Sequence, residues 1–149
     1  MSTPSRIAPL KVGLAGLGTV GTGVIRLLQE NSALIARRAG REIQIVAITA
    51  RDRTKDRGVD LSGYRWVDDM GELATADDVD VVVELVGGAD GPALTLARET
   101  LTNGRALVTA NKAMVAHHGA ELAALAESTQ TALKFEAAVA GGIPVIQGL

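Results

Sequence analysis

Apolar residues in this chain come in two rhythms that take turns, short unbroken runs and stretches with a period near 3.6, and the alternation predicts strands and helices in succession. Leu10 to Ala15 is the first run. Val20, Val24, Leu27 and Leu28 then mark one face of a helix, interrupted near Asn31 and Ser32 and ended at Ala39 and Gly40, where a glycine stops it. Ile43 to Thr49 reads as a second buried strand, parallel to the first through a right-handed crossover. Arg51 to Tyr64 is charged, contains glycines and holds no period, so it reads as a solvated loop. Asp68 to Ala76 predicts a short helix with Met70 and Leu73 inward, and Val79 to Val86 the most apolar strand.

The break from Gly87 to Pro92 opens another helix, with Asp90 as its expected cap, Pro92 in the first turn and Leu94, Ala97 and Leu101 as its inner stripe. Asn103 and Gly104 end it, Arg105 to Thr109 is the next strand, and a helix from Lys112 to Glu127 carries Val115, Leu122 and Ala126 in phase. Thr131 to Val139 predicts a fifth parallel strand, after which Gly141 to Pro144 turns into something helical that stops at Leu149. The pattern is that of an α/β, doubly wound parallel sheet. Residues 1–9 read as a flexible tail and 10–149 as one domain.

The junction of the first strand and helix reads Gly16-Leu17-Gly18-Thr19-Val20-Gly21, a Gly-x-Gly-x-x-Gly run. In a Rossmann-like sheet the three glycines act differently. Gly16 permits the tight turn, Gly18 lets main chain approach a pyrophosphate, and Gly21 lets the helix pack closely. The unpaired N–H groups and positive dipole end of the helix supply the attraction for the anion. A dinucleotide coenzyme is the expected ligand.

Composition narrows the picture. With 47% hydrophobic and 2% aromatic residues, the core is built from Val, Ile, Leu and Ala, the usual filling of parallel strands covered on both faces. Fifteen Lys and Arg against 17 Asp and Glu leave a net charge of −2 and no general attraction to nucleic acid. The absence of cysteine removes a disulfide framework, a thiolate metal site and a cysteine nucleophile from this stretch. The polar opening lacks a signal-peptide core and no window is apolar enough for a membrane helix, so a cytoplasmic protein with no membrane partner is expected.

Chemistry-bearing residues gather at strand ends. Arg51 follows the second strand where an arginine accommodates a ribose 2′-phosphate, and Arg53 and Lys55 add positive charge, which favours NADP over NAD; Asp52 argues the other way if it turns inward. Glu84 lies in the most apolar strand, where an unpaired carboxylate is costly, just before the Leu85-Val86-Gly87-Gly88 turn expected to approach the nicotinamide ribose; it is either a site residue or a strand end near solvent. Lys112 opens a helix, where the dipole disfavours a cation, so it either answers an anionic or carbonyl partner or extends into water. Glu136 with carbonyls freed around Gly141 and Gly142 offers oxygen ligands for a hard cation. His117 and His118, adjacent on a helix, point about 100° apart and do not share an ion, and Tyr64 and Trp66 read as packing residues.

Taken together, Gly-Leu-Gly-Thr-Val-Gly-Thr-Gly at 16–23, Val-Glu-Leu-Val-Gly-Gly at 83–88, Thr-Ala-Asn-Lys-Ala at 109–113 and Phe-Glu-Ala-Ala-Val-Ala-Gly-Gly-Ile-Pro at 135–144 resemble homoserine dehydrogenase over almost the whole chain. The resemblance implies NAD(P)-dependent interconversion of L-homoserine and L-aspartate 4-semialdehyde, on the route to threonine, isoleucine and methionine, by a cytoplasmic homodimer. It implies that Gly16, Leu17, Gly18, Thr19, Val20 and Gly21 contact the pyrophosphate, Arg51 the adenosine phosphate, and Lys112 the nicotinamide and substrate as the catalytic residue of this stretch; Val86 and Gly87, in the turn expected to approach the nicotinamide ribose, complete the coenzyme contacts. It further implies a sodium-type ion held by Glu136, Val139, Gly141 and Ile143. The family's substrate carboxylates and second lysine lie in a substrate and dimerisation domain absent from this sequence, so the expectation is coenzyme binding with little turnover. Two rivals remain at this point: the nucleotide domain of a thioester-type semialdehyde dehydrogenase, whose cysteine would lie beyond Leu149, and a non-catalytic NADP-sensing module.

Overall fold

A computed structural model describes residues 7–136. Along the chain lie β1 (Leu10–Ala15), α1 (Thr19–Ala39), β2 (Ile43–Thr49), β3 (Arg65–Trp66), α2 (Glu72–Thr75), β4 (Val81–Glu84), α3 (Pro92–Thr102), β5 (Ala106–Thr109), α4 (Lys112–Ser128) and β6 (Leu133–Lys134). Every pairing is parallel, in the order β3-β2-β1-β4-β5-β6, so the sheet reverses direction of growth between β1 and β4. Ligands in open α/β sheets sit at such a switch point, beyond the carboxyl ends of the strands.

Two apolar layers cover the sheet. Leu14, Ile25 and Ile48 pack beneath α1, while Leu73, Val82, Leu96, Leu101, Leu107, Met114 and Leu122 fill the face beneath α2, α3 and α4. The register lines up Thr49, Ala15, Glu84 and Thr109 in one row across the last positions of four strands. That row is the floor of the carboxyl edge.

The structure corrects several expectations. α1 is rotated by one residue, about 100°, from the predicted stripe: Gly21 and Ile25 are its buried positions, whereas Val20 and Leu27 are 58% and 56% exposed. Its interruption at Asn31, whose φ of −124° is not helical, and its end at Gly40, in the left-handed region at φ +77°, fall where the sequence places them. β3 is a strand the periodicity does not predict, since two residues carry no rhythm; it adds Trp66 to the sheet beside β2. α2 shrinks to Glu72–Thr75 and β4 to Val81–Glu84. Asp90 does not cap α3: Gly91 precedes the helix at φ +78° without a side-chain cap, and the Asp90 carboxylate pairs instead with His118. In α4 Leu122 and Ala126 are buried as expected, but the third buried position is Met114 rather than Val115. Of the predicted strand Thr131 to Val139, β6 covers Leu133–Lys134; the part beyond 136, the following glycine turn and residues 1–6 of the tail lie outside the described residues.

Candidate functional site

The loops after β2, β1, β4 and β5 leave the carboxyl edge side by side, and the glycine turn from β1 lies between those of β2 and β4. The Gly16 N–H donates to the Thr49 carbonyl at 3.0 Å and the Leu85 N–H to the Ala15 carbonyl at 2.8 Å, which presses the turn against the exit of β4. Gly16 holds φ +101°, and a Cβ there would stand 2.7 Å from the Leu85 carbonyl, so side chains are excluded on both conformational and steric grounds. A Cβ on Gly21 would lie 2.0 Å from the Gly16 carbonyl oxygen. Gly21 thus permits the helix to close on the turn itself, a tighter contact than helix against sheet.

Gly18 differs from both. It precedes α1 at φ −78°, no atom lies within 4 Å of where its Cβ would be, and it is exposed. Nothing inside the fold requires glycine at this position. Beyond it, the first-turn amides of α1 have no intrahelical acceptor, and the turn contains no acidic side chain to compete for them. The Gly18 carbonyl accepts from the Thr22 N–H at 2.9 Å and its hydroxyl at 2.8 Å, leaving the amide side of the turn facing outward. Leu17 buries its side chain in the core and meets the site through main chain only, while Thr19 and Val20 stand exposed on the first turn.

The loop after β2 carries the cations. Arg51 is exposed and takes part in no ion pair among the described residues. Arg53 is committed elsewhere, to Asp68 at 2.9 Å and over the Trp66 ring at 5.2 Å. Asp52 is engaged within its own loop: its carboxylate accepts from the Thr54 N–H and hydroxyl at 2.9 and 2.7 Å, and chiefly those bonds hold it below the ordinary carboxylate range. Arg57, which no sequence pattern singles out, is half-buried and donates Nε to the Leu17 carbonyl at 3.0 Å.

On the other side of the glycine turn, Glu84 is fully buried and fully bonded. Its Oε1 accepts from the Val86 and Gly87 N–H groups at 2.7 and 3.0 Å, and its Oε2 from the Thr109 hydroxyl at 2.6 Å. The strand-end-near-solvent alternative is excluded. Thr109 Oγ1 in turn accepts the Asn111 N–H at 3.0 Å, and Asn111 caps α4 by accepting from Met114 N–H at 3.1 Å while donating to the Gly88 carbonyl at 2.7 Å. This chain of bonds ties the Val86–Gly88 turn to the start of α4. Lys112 follows directly, exposed at the first helical position and unpaired with any carboxylate among the described residues. Asn111 is readable from sequence, since asparagine before a helix is a favoured cap.

Of the expected cation ligands, Glu136 is the last described residue and is exposed; Val139, Gly141 and Ile143 lie outside the described residues. His118 pairs with Asp90 at 2.8 Å and lies 3.7 Å from Glu121, while His117 is exposed. No group of three metal-ligating side chains occurs among the described residues.

Known proteins match this arrangement closely. Residues 16–136 match the family described as the NAD-binding domain of homoserine dehydrogenase. The homoserine dehydrogenase of Neisseria gonorrhoeae is 46% identical over 141 residues, 95% of this chain and 32% of that protein. That of Pseudomonas aeruginosa is 45% identical over 145 residues, again 95% and 32%. Among solved structures, a homoserine dehydrogenase from Thiobacillus denitrificans superimposes with a TM-score of 0.85 at 42% identity, over 94% of this chain and 32% of that one. The chain thus spans about a third of the length of the relatives it matches. With the strand order, the glycine turn and these likenesses in agreement, the chain belongs to the homoserine dehydrogenase family, matching its NAD-binding domain.

Proposed function

We propose that this chain binds NADP, and NAD less tightly, as the coenzyme part of an enzyme that interconverts L-homoserine and L-aspartate 4-semialdehyde. The observation that carries the reading is Gly18, a glycine with empty space around its missing side chain at the head of a helix whose first amides are free of acidic competition. A dinucleotide fits that edge. The amides of the Gly16 to Gly21 turn, including those of Leu17, Thr19 and Val20, would hold the diphosphate. Arg51 would receive the 2′-phosphate, the Val86 and Gly87 turn would border the nicotinamide ribose, and Lys112 would face the nicotinamide and the substrate.

When bound, the coenzyme supplies the hydride chemistry. This chain's own residues orient it: Glu84 and Asn111 fix the turn and the helix start between which the nicotinamide end would lie, and Lys112 brings a positive charge to the substrate's oxygen. A sodium-type ion on Glu136 and the carbonyls of Val139, Gly141 and Ile143 belongs to the same reading, as do a homodimer and a cytoplasmic location for the assembled enzyme. Turnover requires the reactants to be held about 3 to 3.5 Å apart in a closed site, and substrate contacts are expected outside this chain, so homoserine oxidation by these residues alone should be negligible. No helix of the described residues is long and apolar enough to cross a bilayer.

The test is the ratio of dissociation constants for NADPH and NADH, measured by calorimetry on the chain and on Arg51→Ala. The expected result is tighter NADPH binding whose advantage collapses on substitution. An unchanged ratio removes the assignment of Arg51.

A further inference from the structure

The Arg57 guanidinium joins two of the loops at the carboxyl edge. Its Nε donates to the Leu17 carbonyl at 3.0 Å, 40 residues earlier, its Nη1 to the Lys55 carbonyl at 3.0 Å, and its Nη2 to the Asp52 carbonyl. All three acceptors are main chain, one in the glycine turn and two in the loop that carries Arg51. A guanidinium presents its donors in one rigid plane, so occupying three of them fixes the two loops relative to each other.

The Leu17 end of this link has a directional consequence. The peptide unit between Leu17 and Gly18 is planar and trans, so its N–H points opposite to its C=O. Holding the Leu17 carbonyl on Arg57 therefore sets the direction of the Gly18 N–H, the amide at the position where the fold leaves open space. The other end immobilises the main chain on either side of Arg53 and close after Arg51. No ion pair engages Arg57 among the described residues, so its direct partners are carbonyl oxygens, with the Asp52 carboxylate acting on its charge from farther away.

We propose that Arg57 is a positioning residue for the coenzyme, which couples the diphosphate turn to the adenosine loop through the Leu17 carbonyl. The inference rests on the coenzyme reading above. It makes both halves of the dinucleotide site depend on one side chain that need not touch the ligand.

Arg57→Lys keeps the charge and removes the planar fork. Calorimetric titration of the folded variant should show NADH weakened by about tenfold, because pre-organisation of the shared diphosphate turn is lost, and NADPH weakened further, because the adenosine loop is released as well. In the Arg57→Lys background, Arg51→Ala should reduce NADPH affinity by a smaller factor than in the unmodified chain, since the loop no longer holds Arg51 in place. Dissociation constants within twofold of the unmodified chain for both coenzymes would overturn the proposal, and so would a loss confined to NADPH, which marks direct contact with the 2′-phosphate. If the unmodified chain binds neither coenzyme, the functional reading falls with it. Should the variants fail to fold, exchange of the Arg57 Nε–H in the unmodified protein decides: slow exchange with and without NADPH is expected, and exchange as fast as that of an exposed arginine contradicts the link.

Discussion

Glu84 and Thr109 are register partners on adjacent parallel strands, and the threonine hydroxyl donates to the carboxylate at 2.6 Å with both side chains fully buried. The other carboxylate oxygen takes the Val86 and Gly87 amides. A buried anion is tolerated here because each oxygen has a donor, and removing it strands those donors away from water. Glu84→Ala should cost about 3–5 kcal/mol in urea unfolding, and Glu84→Gln, which keeps an acceptor for the amides, about 1–2 kcal/mol. A loss below about 1 kcal/mol for Glu84→Ala would mean that water replaces the network.

Asn111 makes separable contributions. Its Oδ1 caps α4 at Met114 and its Nδ2 holds the Gly88 carbonyl. Asn111→Ala should lower stability by about 1–2 kcal/mol and weaken coenzyme binding. Asn111→Asp retains the cap but sets an acceptor against the Gly88 carbonyl, so thermal melting should recover partly while coenzyme affinity does not. Parallel melts and titrations check it, and equal recovery of both would sever the turn from the site.

Gly16 and Gly21 are required by the fold rather than by the ligand. Alanine at 21 would meet the Gly16 carbonyl, and alanine at 16 would meet the Leu85 main chain at a left-handed φ. Each should destabilise by about 3 kcal/mol or more, read as a reduced urea midpoint or a chain that does not fold. A native-like midpoint in Gly21→Ala would show that the turn can open without loss.

Much of this is readable in the sequence because it is written in residues with one dominant reason to be where they are. The three glycines mark the turn, Gly40 marks the end of α1, and the Val-rich run marks β4. The orientation of α1 is harder to read because Val20 and Leu27 fit a stripe as well as Ile25 and Leu28 do, and Gly21, the residue that identifies the inner face, adds nothing to an apolar count. β3 is invisible since Arg65–Trp66 is too short to alternate, and Arg57 because it binds carbonyls, which any sequence supplies. Asp90 suits a cap on local grounds, whereas its partner, His118, lies 28 residues away.

The clasp between α3 and α4 carries a pH signature. Arg98 grips Glu121 at 2.6 and 2.9 Å, and its hydrogen bonds hold the Glu121 carboxyl below its usual 4.5. Because the folded state keeps this group charged where the unfolded chain begins to protonate it, the contribution is complete above pH 4.5 and disappears as pH falls through the lower folded value. Both side chains are near half-exposed, so Glu121→Gln should lower the melting temperature at neutral pH by only about 1–3 °C, with the difference vanishing in acid. A difference that grows on acidification would contradict the pairing.

The central claim, that the open face of Gly18 exists to admit a diphosphate, is tested most directly by calorimetric titration of NADPH into the unmodified chain and into Gly18→Ala. The account predicts saturable one-to-one binding to the former, and in the variant an unaltered melting temperature with affinity reduced at least about tenfold, because the added methyl occupies the approach while clashing with nothing in the protein. Equal affinity in the two proteins, or no binding heat from the unmodified chain, would contradict it.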